Sequence, residues 1–579
     1  MPRATCFFFL ALLAVGSHGF CGPGTADSAR LVSRDSKMFL WTDDRAALLR
    51  RFRRVDAFQA IRDVIPSSLE ADLVGAGAGL SIFLTPEILR AIPDLLSRGQ
   101  GELALSVEGY VLSQGQPCPD ILVVAGADGF EGVVEEISSL AAIPPTEGAE
   151  LALSRLPFRL NAGSPVKMHV HRGVTIVQFV TAGGHSLALA ESAGMLYGAR
   201  SYQRVEMALD RSLRRPIGSL ADSVRFQHAV KRLAPEAGSL CCYADLRRLR
   251  DQRTVHLLPQ GIGRDLLVDG LNGFDGVGAT LRGHGGYLEL RAFLERASGS
   301  LEIVPLLCGT NSVSHALPLL PAACVVSLTF RDGGDRAGGM LASLNRFLGG
   351  IWSPEVLEDY LRALAGEEVA ARIASKLGAE LTLTIPTGPK NGEFFPRAVF
   401  MMESSDPRGL EDLLNGVVRR SSPASVRRLD LGGDAIFQVT LPRNGYFTEL
   451  VLTVRDGFLI GSTRVMHLRE FLGARKAGDS GLTGAESYQR PFDLLDHPAS
   501  MPVSGLLFID SSTAAVGAGN WLPACLRINP NFSRNPEAVR TLTHLVTALA
   551  DPDLAGSFSG ILVSSQSSTD GVLIEGVGP

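Results

Sequence analysis

The sequence predicts an α+β fold in two tandem, divergent copies, each a mostly antiparallel sheet packed with helices. Three observations lead there. At 579 residues the chain exceeds the roughly 250 to 300 at which a single hydrophobic core stops growing. Segments of like pattern recur in the same order at offsets of about 270 to 290 residues. Strand-like runs are joined by short turns, which implies antiparallel pairing, and helices arrive in groups, which implies one covered sheet face.

Each copy opens on a short strand, MFLWT near residue 38 and CVVSLTF near 324. Helical stretches follow, RAALLRRFRRVDAFQAIRDV in one copy and GGMLASLNRFLGG in the other, then TPEILRAIPDLLSR and SPEVLEDYLRALAG. A hairpin comes next, ELALSVEGYVLS with ILVVAGA and ELTLTIPT with AVFMME. Its second strand runs into a turn at Asp128 or Asp406 and an amphipathic helix, so that residues 119–137 match 396–414. Residues 174–192 read as strand, glycine turn and strand, and are matched to 447–463 with its D-G turn. SYQR then occurs at 201–204 and again at 487–490, each time in a helix pattern, and is taken as a trace of duplication. A further strand (SLCCYAD; GLLFIDSS) and a closing hairpin (273–293; 557–577) complete each copy. The expected boundaries are a signal peptide over 1–19, a linker over 20–37, repeat 1 over 38–297, a linker over 298–316 and repeat 2 over 317–579.

DDRAALLRRFRRVDAFQAI, LLSRGQGELALSV followed by PDILVVAGADGFEGVVEEI, and DGFLIGST followed by a helix and SYQR carry a resemblance. On them the chain resembles an uncharacterised bacterial family of secreted or envelope proteins with a domain of unknown function, often in two copies. The resemblance spans most of the chain after residue 19 and departs from the pattern at the glycine-rich VGAGAGL (Gly75 to Gly79) and in the linker near 300. It implies an envelope location and carries over no catalytic residue.

The N-terminus fits that location. Arg3, the apolar run CFFFLALLAV and the small-residue exit GSHGF have the three parts of a secretory signal peptide, with cleavage after Gly16 or Gly19. Cys21 raises lipid anchoring, but the bulky Phe20 before it suits that cleavage poorly. No later run offers the roughly twenty apolar residues of a membrane span, because the stretch from Leu301 is broken by Pro305, Pro318 and Pro321. Net charge is −5 and the 49 arginines are scattered, so no concentrated basic face for nucleic acid is expected. Seven cysteines follow Gly19 with no C-x-x-C spacing, which supports neither a disulfide framework nor a zinc site. Cys241 and Cys242 are adjacent, and read as buried thiols rather than a strained vicinal disulfide.

No motif assigns chemistry. GDSG at 478–481 offers Ser480 as a nucleophile, yet no TAAHC-like segment supplies a general base, and a surface loop is the reading taken. His169 and His171 in KMHVHRG lie two apart on a strand, so both rings share a face and form the candidate metal pair, with His185 across the hairpin as a third member. The competing reading is a solvated strand face. VGAGAGL lacks the helix start a dinucleotide loop needs. Arg50, Arg51, Arg53 and Arg54 alternate with Leu48, Leu49, Phe52 and Val55 at helical spacing, the pattern of an amphipathic helix with a basic edge.

The function expected is therefore a non-enzymatic binding or scaffolding module of the envelope, with no catalytic residue and no cofactor. An envelope protein, a lipid or a glycan are the partner classes. Two other readings stay open: a periplasmic carrier of an apolar ligand, and a hydrolase with its site between the repeats. A mean hydropathy of +0.17, to which the signal peptide contributes, is what keeps the carrier open.

Overall fold

The computed structural model describes residues 27–52, 54–55, 101–113, 116–140, 150–152, 159–161, 165–180, 186–213, 218–251, 273–284, 286–297, 311–331, 367–386, 397–421, 425–440, 449–474, 481–495, 502–514 and 560–579. They form two compact units, one on each side of residue 300. The architecture is α+β with extended antiparallel sheet.

The first unit contains β1 (Met38–Thr42), β2 (Leu103–Ser113), β3 (Gln116–Gly126), and a separate small hairpin of β4 (Glu150–Ala152) and β5 (Arg159–Asn161). Then come β6 (Lys167–His171), β7 (Val174–Val180), β8 (Ser186–Ser192), β9 (Met195–Ala199), β10 (Leu240–Asp245), β11 (Phe274–His284) and β12 (Tyr287–Arg296). Neighbours run β12, β11, β10, β1, β2, β3, β9, β8, β7, β6, every pair antiparallel. The strand that comes first in sequence thus lies mid-sheet, between β10 and β2. The helices are α1 (Arg45–Phe52), α2 (Val133–Leu140), α3 (Tyr202–Leu213), α4 (Val224–Leu233) and α5 (Leu246–Arg250).

Cross-strand register defines the two faces. Trp41, Ala104, Val124, Tyr197, Ala190, Ile176 and His169 are paired in succession and therefore share one face. On that face α3 buries Val205, Ala208 and Leu209, and Phe226 of α4 packs on Phe39, Trp41 and Tyr243. Burial of an aromatic side chain such as Phe226 contributes about 1.5–3 kcal/mol. The opposite face packs Val177, Phe179, Leu189 and Leu196 against Phe130, Val133 and Ile137 around α2. It also carries α1: a Cβ on Gly278 would meet Leu233 and Ala229 of α4, whereas one on Gly283, of opposite parity, would meet the Arg51 backbone.

The second unit contains β13 (Val326–Arg331), β14 (Leu377–Ile385), β15 (Val399–Ser404), β16 (Val426–Leu431), β17 (Asp434–Thr440), β18 (Glu449–Arg455), β19 (Phe458–Ser462), β20 (Gly505–Asp510), β21 (Gly560–Ser567) and β22 (Gly571–Gly578). Its order is β22, β21, β20, β13, β14, β15, β19, β18, β17, β16, again antiparallel throughout and strand for strand that of the first unit. The helices are α6 (Glu367–Ala374), α7 (Pro407–Arg420), α8 (Val465–Gly473) and α9 (Glu486–Asp493). One core holds Phe400, Met402, Phe437 and Leu452 against α6 and α7; the other holds Val399, Met401, Ile436 and Val451 against α8 and α9.

Helices thus cover both faces of each sheet, where grouping in the sequence suggested one. The reason is visible in the strands. β15 and β19 alternate between the two cores and are buried almost throughout, and a strand buried on both sides carries a continuous apolar run.

Two-residue turns fix the hairpin registers. Arg172-Gly173, Ala193-Gly194, Gly432-Gly433 and Asp456-Gly457 each have φ > 0 at both residues, the type I′ geometry that matches strand twist. The D-G turn read from sequence is one of these. Asp406 caps α7, accepting from the Gly409 N–H at 2.9 Å, with Pro407 in the first turn.

Three sequence expectations need correction. Residues 27–37 and 311–316 fall in the two expected linkers, yet they are packed: Ser28, Ala29, Val32 and Ala316 are fully buried or nearly so. The pairing of 174–192 with 447–463 is one strand out, because the former covers β7 and β8 and the latter β18 and β19. The SYQR strings are likewise not equivalent. The first opens α3, directly after β9; the second lies in α9, directly before β20, the place that α4 holds before β10 in the first unit.

Candidate functional site

His169 and His171 lie on β6, the last strand of the first sheet, with Lys167 on the same face and Met168 and Val170 on the other. α3 runs alongside. Its buried stripe of Val205, Ala208 and Leu209 fixes its rotation, and the adjacent stripe Tyr202, Glu206 and Asp210, spaced four apart, is thereby turned to β6. The His169 ring stacks on Tyr202 with centroids 3.8 Å apart and planes 9° off parallel. His171 Nε2 lies 2.8 Å from Asp210 Oδ1 and its Nδ1 lies 3.6 Å from Glu206 Oε1. Arg172 Nε reaches the same Asp210 oxygen at 2.6 Å.

This geometry fastens a hairpin to a helix. The two nitrogens of His171 are directed at different carboxylates on opposite sides of the ring, while His169 is spent on a stacking contact. A metal site requires several donors directed at one point. The buried His169 Nε2 has no hydrogen-bond partner. His185 and Ser480 lie outside the described residues, as does VGAGAGL. Gly481, the last residue of GDSG, has φ +59°, and a Cβ there would meet the Leu320 and Pro318 carbonyl oxygens at 2.6 Å, so backbone packing demands this glycine.

The two SYQR strings also perform different work. Arg204 of the first pairs with Asp120 through Nε at 2.7 Å and Nη2 at 2.6 Å, tying α3 to β3. In the second, Tyr488 is buried against Phe508 and Phe492, and Arg490 pairs with Glu486 on the surface.

A second His–carboxylate group, not singled out in the sequence, brings ligand atoms of His315, Glu380 and Glu403 within 4.8 Å of one another. His315 Nδ1 lies 2.9 Å from Glu403 Oε1. The Glu380 side chain is fully buried, and its acceptor capacity is spent. Oε1 accepts from the Ser314 hydroxyl and from Ala316 N–H at 3.1 Å; Oε2 accepts from His315 N–H at 2.9 Å and from Arg331 Nη2 at 2.6 Å. A cation here would have to displace the arginine. Glu380 is a clasp joining the segment before β13 to the start of β14. Glu102 at the start of β2 makes the matching clasp in the first unit, accepting from the Ser28 N–H at 3.1 Å and from its hydroxyl. The signal was present in ELALS and ELTLT, each preceded far upstream by a serine, but a bond across 74 residues leaves no local pattern.

A third charged group gathers where β10, β11 and β12 meet α4. Arg225 Nη2 pairs with Asp275 at 2.6 Å, and Asp245 caps α5 through the Arg248 N–H at 3.1 Å. Glu295 Oε2 is buried with no hydrogen-bond partner, and His228 Nδ1 lies 3.8 Å from Oε1. Burial holds the Glu295 carboxyl above the usual carboxylate range, against the pull of Arg225 and His228.

Elsewhere, Arg45 of α1 is wholly buried, its guanidinium 5.4 Å from the Phe130 ring centre and donating to the Gly126 carbonyl at 3.1 Å; burial lowers its pKa. Leu48, Phe52 and Val55 face inward beside it and Arg50 and Arg54 outward, as the spacing suggested, whereas Leu49 and Arg51 are half-buried, the helix ends at Phe52 and Arg53 lies outside the described residues. Cys241 and Cys242 are thiols with no disulfide between them, and burial pushes the Cys324 thiol up to about 12. No described helix is long and apolar enough to cross a membrane.

No protein-family model matches the chain, and no curated protein matches it. Two crystal forms of TP0453 show a loose likeness: 10% identity over 48% of this chain, covering 83% of that chain in form III and 82% in form I, with TM-scores of 0.25 and 0.23.

Proposed function

We propose that the chain is an exported, non-enzymatic binding or scaffolding protein of the bacterial envelope, built from two divergent copies of one α+β domain. The common strand order and the Ser28–Glu102 and Ser314–Glu380 clasps support the duplication. A further tie recurs: Leu220 N–H donates to the Val32 carbonyl in one unit and Leu482 N–H to that of Leu320 in the other, each joining the turn before α4 or α9 to the segment before the first strand. These joints recur in both units while the surface differs.

The observation that carries the binding role is that difference at one equivalent place. β16 ends the second sheet with Arg427, Arg428 and Asp430 exposed, the charged edge that discourages strand addition. β6 ends the first with Met168 59% and Val170 74% exposed. An apolar edge in one unit, where the equivalent edge of the other is charged, favours recognition over enclosure of a ligand. The test is native mass spectrometry of the protein purified from its own envelope fraction, compared with the denatured sample. Retained protein mass supports the reading. A lipid or glycan that leaves on denaturation replaces it with the carrier reading, and an uncut Met1 in the cytoplasm removes export.

A further inference from the structure

The edge strand β6 specifies more than an open surface. β7 pairs with it on one side, and no described strand pairs with it on the other. Lys167, Met168 and Val170 are exposed, whereas His169 and His171 are turned to α3. If a second β6 runs antiparallel to this one with His169 opposite His169, Met168 falls opposite Val170 and Lys167 opposite His171, and the same two pairs repeat across the axis. Residues opposite each other point to the same face, so the exposed apolar side chains form one strip. On the other face each Lys167 arrives beside the carboxylates of Glu206 and Asp210 that flank His171 of the second copy. The sequence KMHVH is therefore complementary to itself in this register, in both polarity and charge.

We propose that the outer edge of β6 docks a second copy of this chain, strand to strand and antiparallel about His169. The contact is isologous, and closure uses up the exposed edge of both copies. It deepens the binding role assigned above and rests on it. β16 does not offer the same contact: its exposed positions carry Arg427, Arg428 and Asp430, and Arg428 is held at 2.8 Å by Asn415 of α7.

The test is sedimentation velocity of the full chain over a range of concentrations. The wild type is expected to show a concentration-dependent dimer. Val170→Lys is expected to weaken it about a hundredfold, and Lys167→Glu, a change at an exposed position, about tenfold. Register is read separately by disulfide trapping: Met168→Cys mixed with Val170→Cys is expected to crosslink more than either alone. A wild type that stays monomeric overturns the proposal, as does a dimer indifferent to both charge changes or one whose mixed cysteines do not crosslink. Those results leave the binding role standing if another protein is retained in the native spectrum; loss of all partners sinks both.

Discussion

Removing the Glu380 carboxylate has the largest expected effect on stability among the single changes considered. In Glu380→Ala, Ser314, the His315 and Ala316 amides, and Arg331 lose their acceptor together. The guanidinium is the costly member: the Arg331 side chain is 10% exposed and Glu380 is 0% exposed, so an uncompensated charge remains where water barely reaches. Breaking a buried pair from one side costs about 3–5 kcal/mol. For a unit of this size that is a fall in Tm on the order of 10 °C. Calorimetry is the primary assay, with hydrogen exchange on residues 311–331 showing whether the loss lies in the second unit. Glu380→Gln keeps the shape and one acceptor but directs an amide at Arg331, and its Tm is expected between wild type and alanine. A loss below about 1 kcal/mol in the alanine variant refutes the clasp, since that is the scale of an exposed ion pair.

The remaining tests probe other joints. His171→Ala removes partly exposed contacts with Glu206 and Asp210, so a loss of about 0.2–1 kcal/mol with faster exchange in β6 and β7 is expected; global unfolding contradicts the fastening role. Gly481→Ala is expected to cost well above the roughly 1 kcal/mol of Gly457→Ala, because both have φ > 0 but only Gly481 has carbonyls in the way; equal melting shifts refute this. Cys324 is expected to resist alkylation at pH 8 until the protein is unfolded, read by mass spectrometry, and rapid native labelling contradicts its burial. Because burial raises the Glu295 carboxyl in the folded state, its protonated form is favoured by folding: the contribution of Glu295 to stability grows as pH falls from neutral through the raised value and is lost as pH rises. Glu295→Gln is expected to flatten that slope and raise Tm at neutral pH; a lowered Tm means that attraction to Arg225 outweighs burial.

Much of the strand framework was legible because alternation and turn chemistry are local. MFLWT, LALSV, ELTLTI, LCCYAD and GLLFID fall on strands, the last giving way to helix at Ser511, and Asp456-Gly457 turns where its residue types demand. What misled was identity without context. SYQR matched letter for letter, but Tyr202 stacks on a histidine at the sheet edge while Tyr488 fills the core position that Phe226 holds in the first unit. A tetrapeptide states residue types; burial decides their job. The second covered face was readable in VFMM and FLIGS, runs too continuously apolar for a strand wet on one side. Glu380 was not readable, since its partners at Ser314 and Arg331 are 66 and 49 residues away. The candidate pair His169 and His171 was correctly seen to share a face, but nothing local announces that Glu206 and Asp210 arrive there from α3.

The central position of each first strand sets a schedule for folding. Met38 pairs with Ala244, so the middle of the first sheet closes only after more than two hundred further residues are available, and Val326 waits similarly for Ile509. Contacts of such long sequence separation are reached slowly, because the intervening chain must lose its freedom before they form. Until then β1 and β13 present one bare hydrogen-bonding edge each, flanked by apolar side chains. A chain emerging from its N-terminus therefore carries those open edges until β10 or β20 appears, and unpaired edges of this kind are where partly folded chains associate wrongly.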